Sequence, residues 1–339
     1  MTRPPRLPIL AALALLCASA CGRREPADPR PVLRVGHFVT LTHAHALAAR
    51  DLTEPAQGWF ERRLGMDLRI EWHLYTAGPS AMEAMLAGAL DLCYVGPQPV
   101  LNAHLRTAGE EIRVLAGAVR GGAALVVRKD LVRRPGDLRG RRIGTPQFGN
   151  TQDIACRAWL LDQGLRVTQA GGDVRVVPMA LPDLFALFRR GELDAIWAVE
   201  PWVANLELLP EAEVLHEDEG SLTTILAASA AALRDRPEAV RRFLEAHAEL
   251  DAWMRAEPEA ARTRAVATLD RLLGRPLLPK VAGRAYARLR LGTPLRREDL
   301  EELVRVTRRV GFSLPEGSLD RLLAAPAAPT TAASRPEAR

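Results

Sequence analysis

The sequence predicts an α/β fold of two lobes, on three observations. Short apolar strand-like runs alternate with helix-patterned segments through residues 31–119. A second strand–helix series of similar size occupies 123–216, and from Arg236 onward the pattern is helical alone. Strands alternating with helices predict layered α/β units with a largely parallel sheet. The length of 339 residues suits about two domains. A hydrophobic fraction of 48% and a charged fraction of 26% are ordinary globular values and exclude wholesale disorder.

In the first series, residues 31–36 alternate and end in glycine, as a strand would. Residues 43–65 have helical composition, interrupted near Thr53-Glu54-Pro55. Residues 68–75 (LRIEWHLY) alternate cleanly. A helix over 80–86 enters through Gly78-Pro79, a short apolar strand covers 90–95, and a helix over 97–107 has proline in its first turn. A strand at 112–119 closes the series. After Gly121-Gly122 come strands at 123–128, 142–144, 173–177, 195–198 and 213–216, with helices at 150–163, 181–190 and 201–208. A strand at 222–228 follows, then helices opening at Pro237 and covering 257–273, 279–289 and 296–310. The natural crossings between lobes are at 122–128 and 213–228. The expected lobes are therefore 31–122 with 221–325, and 123–220.

The N-terminus reads as an address. Arg3 and Arg6 precede an apolar stretch over residues 7–20, broken by Pro8 and Ser19. It is short for a membrane span of about 20 residues and fits a signal sequence. It ends in Ala18-Ser19-Ala20-Cys21-Gly22, which resembles the lipobox of bacterial lipoproteins. The expectation is a signal peptide over 1–20, lipidation of Cys21 and a polar tether over 21–30, leaving the mature chain in the periplasm or cell envelope, anchored to a membrane. An ordinary secretory signal with an incidental cysteine is the alternative. Residues 326–339, rich in Ala, Pro and Thr, read as a disordered tail. Cys93 and Cys156 read as free buried thiols, with no CxxC or Cys/His cluster nearby.

Net charge is +5, with acids interspersed among the bases. Lys129 and Lys280 are the only lysines, a skew toward arginine that points to coding bias. No basic run suggests a nucleic-acid surface. Three strand-to-helix turns are rich in small residues: Thr40–His43, Ala77–Ser80 and Gly144–Thr151. The first N–H groups of a helix lack internal partners and carry partial positive charge, so such turns bind oxyanions without lysine. Thr42, Ser80 and Thr151 offer hydroxyls there. For any one turn, plain N-capping is the simpler reading; three in equivalent places favour a site.

GTPQFGNTQDIACRAWL and GELDAIWAVEPW resemble the solute-binding proteins of ABC importers for aliphatic sulfonates, whose relatives bind nitrate and taurine. AMEAMLAGALDLCYVGPQP and RDRPEAVRRFLEAH resemble further segments of that family, so the similarity covers roughly 31–275. The resemblance implies a bilobal periplasmic-binding-protein fold (type II) with a ligand cleft and C-terminal helices. It implies hinge closure on a small anion, no cofactor, and delivery to an ABC permease and its ATPase by a monomer. It places ligand contacts at Gly36, His37, Phe38 and Ser80, then at Tyr94, Gly96 and Pro97. From the second lobe it places Gln147, Asn150, Thr151, Glu200 and Trp202. Arg120, before the first crossing, is the candidate cation. Glu200 is awkward for an anion and suits an amino group such as taurine offers, or a local pair; Trp197 and Trp202 are as much core as site.

Other classes fit less well. His37, His43 and His45 are close in sequence, but His43 and His45 diverge on a helix, and no HExxH or paired-histidine spacing appears. Enzymes of thiamine-pyrimidine synthesis share the implied fold but carry a cysteine-rich motif that this sequence lacks. GxSxG and P-loop motifs are also missing. A sensor that presents its closed form to a receptor uses the same closed lobes as a transporter's binding protein, so sequence does not separate the two.

Overall fold

The structure, a computed structural model, describes residues 30–323 apart from 51, 55, 56, 66, 67, 169, 170 and 293. The expected signal peptide, Cys21 and most of the tether lie outside the described residues, as does the tail.

Two mixed sheets organise the chain. The first has six strands in the order β11-β4-β10-β3-β1-β2, where β1 is Val32–Phe38, β2 Arg69–Tyr75, β3 Leu92–Val95, β4 Ile112–Gly121, β10 Leu222–Ser229 and β11 Leu289–Leu291. The second has five in the order β9-β5-β8-β6-β7, where β5 is Ala123–Arg128, β6 Arg142–Thr145, β7 Arg175–Pro178, β8 Ala195–Val199 and β9 Ala212–Asp218. The expected parallel βαβ pairing holds for β2-β1-β3 and for β7-β6-β8. The remaining pairs are antiparallel, so a largely parallel sheet is corrected to a mixed one. The cause is the crossing strands: β4 runs on into β5, and β9 returns into β10, each entering its new sheet against the local direction.

The first crossing turns on Gly121-Gly122, both left-handed at φ 68° and 71°. A Cβ on Gly121 would stand 2.8 Å from the Arg288 carbonyl, so both conformation and space call for glycine. Nine-residue and longer helices pack both faces of each sheet. In the first lobe α3 (Gly78–Leu86) and α4 (Pro97–Arg106) follow α1 (Ala44–Ala49) and α2 (Trp59–Leu64). In the second are α5 (Thr151–Asp162), α6 (Leu181–Arg189) and the short α7 (Trp202–Leu206). The C-terminal series is α8 (Ala230–Asp235), α9 (Pro237–Ala256), α10 (Pro258–Leu273), α11 (Pro279–Ala287) and α12 (Arg297–Arg309). The expected helix at 43–65, interrupted near Thr53-Glu54-Pro55, is the pair α1 and α2 on either side of that break, preceded by a 3-10 turn at Leu41–His43.

Leu33, Val35 and Leu92 face α9 and α10 across one core, where Phe60 stacks on Phe243 at 4.0 Å. Each fully buried side chain of this size contributes about 1.5–3 kcal/mol. In the second lobe Leu125, Ile143 and Trp197 pack toward α5, and Ile196 packs with Leu184 and Phe188 of α6. Among the described residues no helix is long and apolar enough to cross a membrane.

Candidate functional site

The C-terminal ends of the strands bring two helix N-termini together. Gly96, Pro97 and Gln98 open α4 from the first sheet; Asn150 and Thr151 open α5 from the second. The Gln98 backbone N–H donates to Thr151 Oγ1 at 3.3 Å. A Cβ on Gly96 would fall 2.6 Å from that same oxygen, so only glycine allows the approach. Nearby, Leu41 N–H donates to the Glu200 carbonyl at 3.0 Å, a second contact between elements of the two sheets. The lobes therefore touch along the line between them.

The turn leading into α5 is held from inside. Asn150 caps the helix by accepting from Asp153 N–H at 2.9 Å. Asp153, fully buried, accepts from Thr145 Oγ1 at 2.8 Å, from Gly149 N–H at 2.9 Å and from Arg157 Nε at 3.1 Å. This buried pair fixes the backbone of the Thr145–Thr151 turn. Sequence reading missed it, although an Asp–Arg spacing of four on one helix was its signal.

Beside the two N-termini lies a groove of about 640 Å³. It is lined by Pro97, Arg120 and Thr151, by the aromatic side chains Trp159, Trp197 and His216, and by residues of α12. Trp159 stacks on His216 at 5.0 Å and 22°, and Trp197 lies 5.7 Å from the same imidazole. The Trp197 indole N–H is buried and has no hydrogen-bond partner. Burial lowers the pKa of His216 despite nearby Asp218 and Glu217, so the ring is neutral at pH 7. Arg120 pairs with Asp299 of α12 at 2.7 Å and donates to the Gly220 carbonyl at 3.1 Å. Burial opposes ionisation of Asp299, but the Arg296 amide and the Arg120 guanidinium together hold its carboxyl below the usual range.

Of the residues expected at a ligand, Pro97, Arg120 and Thr151 line the groove, as does Trp197, and Gly96 lies against Thr151. The other expected contacts do not line it. His37 is buried, with Nδ1 on the Phe38 carbonyl at 2.9 Å and Nε2 on Arg50 at 2.7 Å; Phe38 stacks on His43 at 4.5 Å. Thr42 is buried, its hydroxyl 3.0 Å from that of Thr40. Ser80 is exposed and its hydroxyl donates to the Ala77 carbonyl, so it neither lines the groove nor caps its helix. Tyr94 is buried in the first lobe with its hydroxyl on His247 at 2.9 Å. The Gln147 side-chain oxygen is buried without a partner. Trp202 packs against Phe185.

Glu200 is 0% exposed. One oxygen accepts from Arg288 Nη1 at 2.9 Å, the other from Ala204 N–H at 3.1 Å. Burial pushes its carboxyl up to about 7, against the pull of Arg288 and the Ala204 amide. Arg288, between β11 and α11, also holds Glu207 and Glu217. Glu200 is thus occupied within a pair between the lobes. Trp159, His216 and Asp299 are groove residues that sequence reading did not single out. Among the described residues no cluster of three side chains could hold a metal ion.

The model of the NMT1-like family matches residues 26–269. The chain is 29% identical over 150 residues to the taurine-binding periplasmic protein of Escherichia coli K12, covering 44% of each chain. It is 26% identical over 219 residues to a putative aliphatic sulfonates-binding protein of the same organism, covering 61% of this chain and 63% of that one. The matches thus span about half to three-fifths of these curated relatives. Among solved structures, the alkanesulfonate-binding protein of Xanthomonas axonopodis pv. citri bound to MOPS superposes with a TM-score of 0.67 at 23% identity, covering 86% of this chain and 97% of that one. That likeness establishes the bilobal periplasmic-binding-protein fold.

Proposed function

Because the chain belongs to the NMT1-like family, we propose that it is the extracytoplasmic solute-binding component of an ABC importer, with an aliphatic sulfonate as its ligand. It captures the small anion by closing the lobe of 31–122 and 221–325 on that of 123–220, and presents the closed form to the permease and its ATPase. It performs no covalent chemistry. The mature chain is a monomer held at the membrane by lipid on Cys21.

The observation that carries this reading is the meeting of the α4 and α5 N-termini at Gly96 and Thr151, with Arg120 in the lining of the same groove. Helix N-termini supply N–H donors and partial positive charge, and Arg120 adds a guanidinium whose present partner, Asp299, an anion would displace. A sulfonate matches that set with three acceptor oxygens. The names of the taurine- and sulfonate-binding relatives support the same class.

A thermal-shift screen of ligand-stripped protein tests it. The panel holds alkanesulfonates, taurine, nitrate, bicarbonate, sulfate and thiamine-pyrimidine precursors. Ligand at about 100-fold over its dissociation constant adds about 2.7 kcal/mol, enough to move the midpoint visibly. A shift with alkanesulfonates supports the reading. A shift confined to uncharged or cationic compounds contradicts the oxyanion and leaves the fold untouched.

A further inference from the structure

The C-terminal segment past the family match spans both lobes, and its two sets of contacts are unequal. On the first lobe it is built into the core. Leu300 and Leu322 are buried with Ile112 and Val114, and Val114 N–H donates to the Leu322 carbonyl at 2.7 Å. The Thr307 hydroxyl, buried, lies 2.8 Å from Gln98 Oε1. On the second lobe the contacts are a small apolar seat on α5, a cation–π contact of Arg157 with Phe312 and an exposed ion pair. Val310 and the partly buried Val306 pack on Ile154 and Ala158 of α5. Arg309 pairs with Asp162 at 2.7 Å, each side chain about half exposed (48% and 52%). Phe312 lies 4.9 Å from Phe148, itself 50% exposed.

We propose that α12 and Phe312 form a detachable latch: a gating wall of the groove that travels with the first lobe and releases α5 when the lobes open. A rigid helix fixed on one body and touching the other cannot keep both sets of contacts through a hinge motion. The weaker set lets go. An exposed ion pair adds little, so the latch closes mainly through the small apolar patch around Val310 and Phe312. α12 also supplies Asp299, Leu303 and Arg305 to the groove lining, so undocking opens the groove on that side. Ligand entry and lobe opening are then one movement. The latch holds the lobes together in the absence of ligand; only its effect on ligand release rests on the function proposed above.

The test measures the distance between the lobes in the mature, ligand-free chain. Labels are placed at Ala87→Cys and Arg189→Cys, both exposed, one on each lobe. Cys93 and Cys156 are fully buried and stay unlabelled. Wild type is expected to show one short-distance population. The variant Arg309→Ala/Phe312→Ala, which leaves the first-lobe core intact, is expected to raise the open-to-closed ratio about tenfold, with circular dichroism unchanged. Identical distance distributions in the two proteins, or a wild type already open, would overturn the latch. Both readouts stand without any ligand, so failure of an alkanesulfonate to bind is a separate result. If it binds, its dissociation is expected to be faster from the variant, and an unchanged off-rate would overturn the gating role.

Discussion

Asn150 and Thr151 are neighbours with different work. Asn150 satisfies a backbone donor of its own helix, whereas the Thr151 hydroxyl accepts from a backbone amide of the other lobe. Asn150→Ala is therefore expected to cost about 1 kcal/mol of stability, as loss of an N-cap does, read from urea unfolding. Thr151→Val keeps shape and removes the acceptor. It is expected to leave unfolding nearly unchanged and to weaken ligand binding about tenfold, a loss of roughly one hydrogen bond, read by calorimetric titration. Equal effects of both substitutions on stability would contradict this division. The small-residue turn, the hydroxyl at Thr151 and the cation at Arg120 were legible in the sequence, because each follows from local spacing. The occupations of Glu200 and Tyr94 were not, since their partners Arg288 and His247 lie 88 and 153 positions away.

At the scale of elements, the loop between α11 and β11 ties the lobes through Arg288. Its guanidinium, 13% exposed, meets carboxylates on the turn before α7, on α7's end and on β9. These three acids hold it protonated more firmly than an ordinary arginine, even though burial alone opposes the charge. Arg288→Ala strands Glu200 in the interior and is expected to destabilise by about 3 kcal/mol, in the range for a broken buried pair. Adding Glu200→Gln should recover part of that loss, because a neutral amide needs no counter-charge. A double variant no more stable than Arg288→Ala would argue against an electrostatic origin. The strands and helices on either side were visible as periodic runs, and α12 falls within one residue of its expected bounds. Its seat across α4 and α5 was not, for amphipathic spacing gives the presence of a buried face and not its partner.

Over the whole molecule, the two-lobe fold was legible because the βα pattern repeats twice and matches a family. The mixed sheet order was not, because crossing strands reverse direction without a sequence signature. Burial lowers the pKa of four histidines. His37 and His247 go to about 3, His43 well below its usual value, and His216 down as well. A depressed histidine contributes stability above about pH 6.5 and loses it as pH falls, because the unfolded chain takes up the proton. Burial raises Glu61 and Glu200, which act in the opposite sense above their ordinary range. The imidazoles outnumber these two carboxyls, so the melting temperature is expected to fall between pH 7 and pH 5. Calorimetric scans across that range check it, and a melting temperature that rises toward pH 5 would contradict the balance. The central claim is capture of a sulfonate where the α4 and α5 N-termini meet Arg120. Its most direct test is calorimetric titration of ligand-stripped wild type and Arg120→Ala with a short alkanesulfonate. The expected result is one saturable site in wild type, weakened at least tenfold in Arg120→Ala while the variant remains folded. Equal affinity in both proteins, or no binding of any oxyanion by wild type, would contradict it.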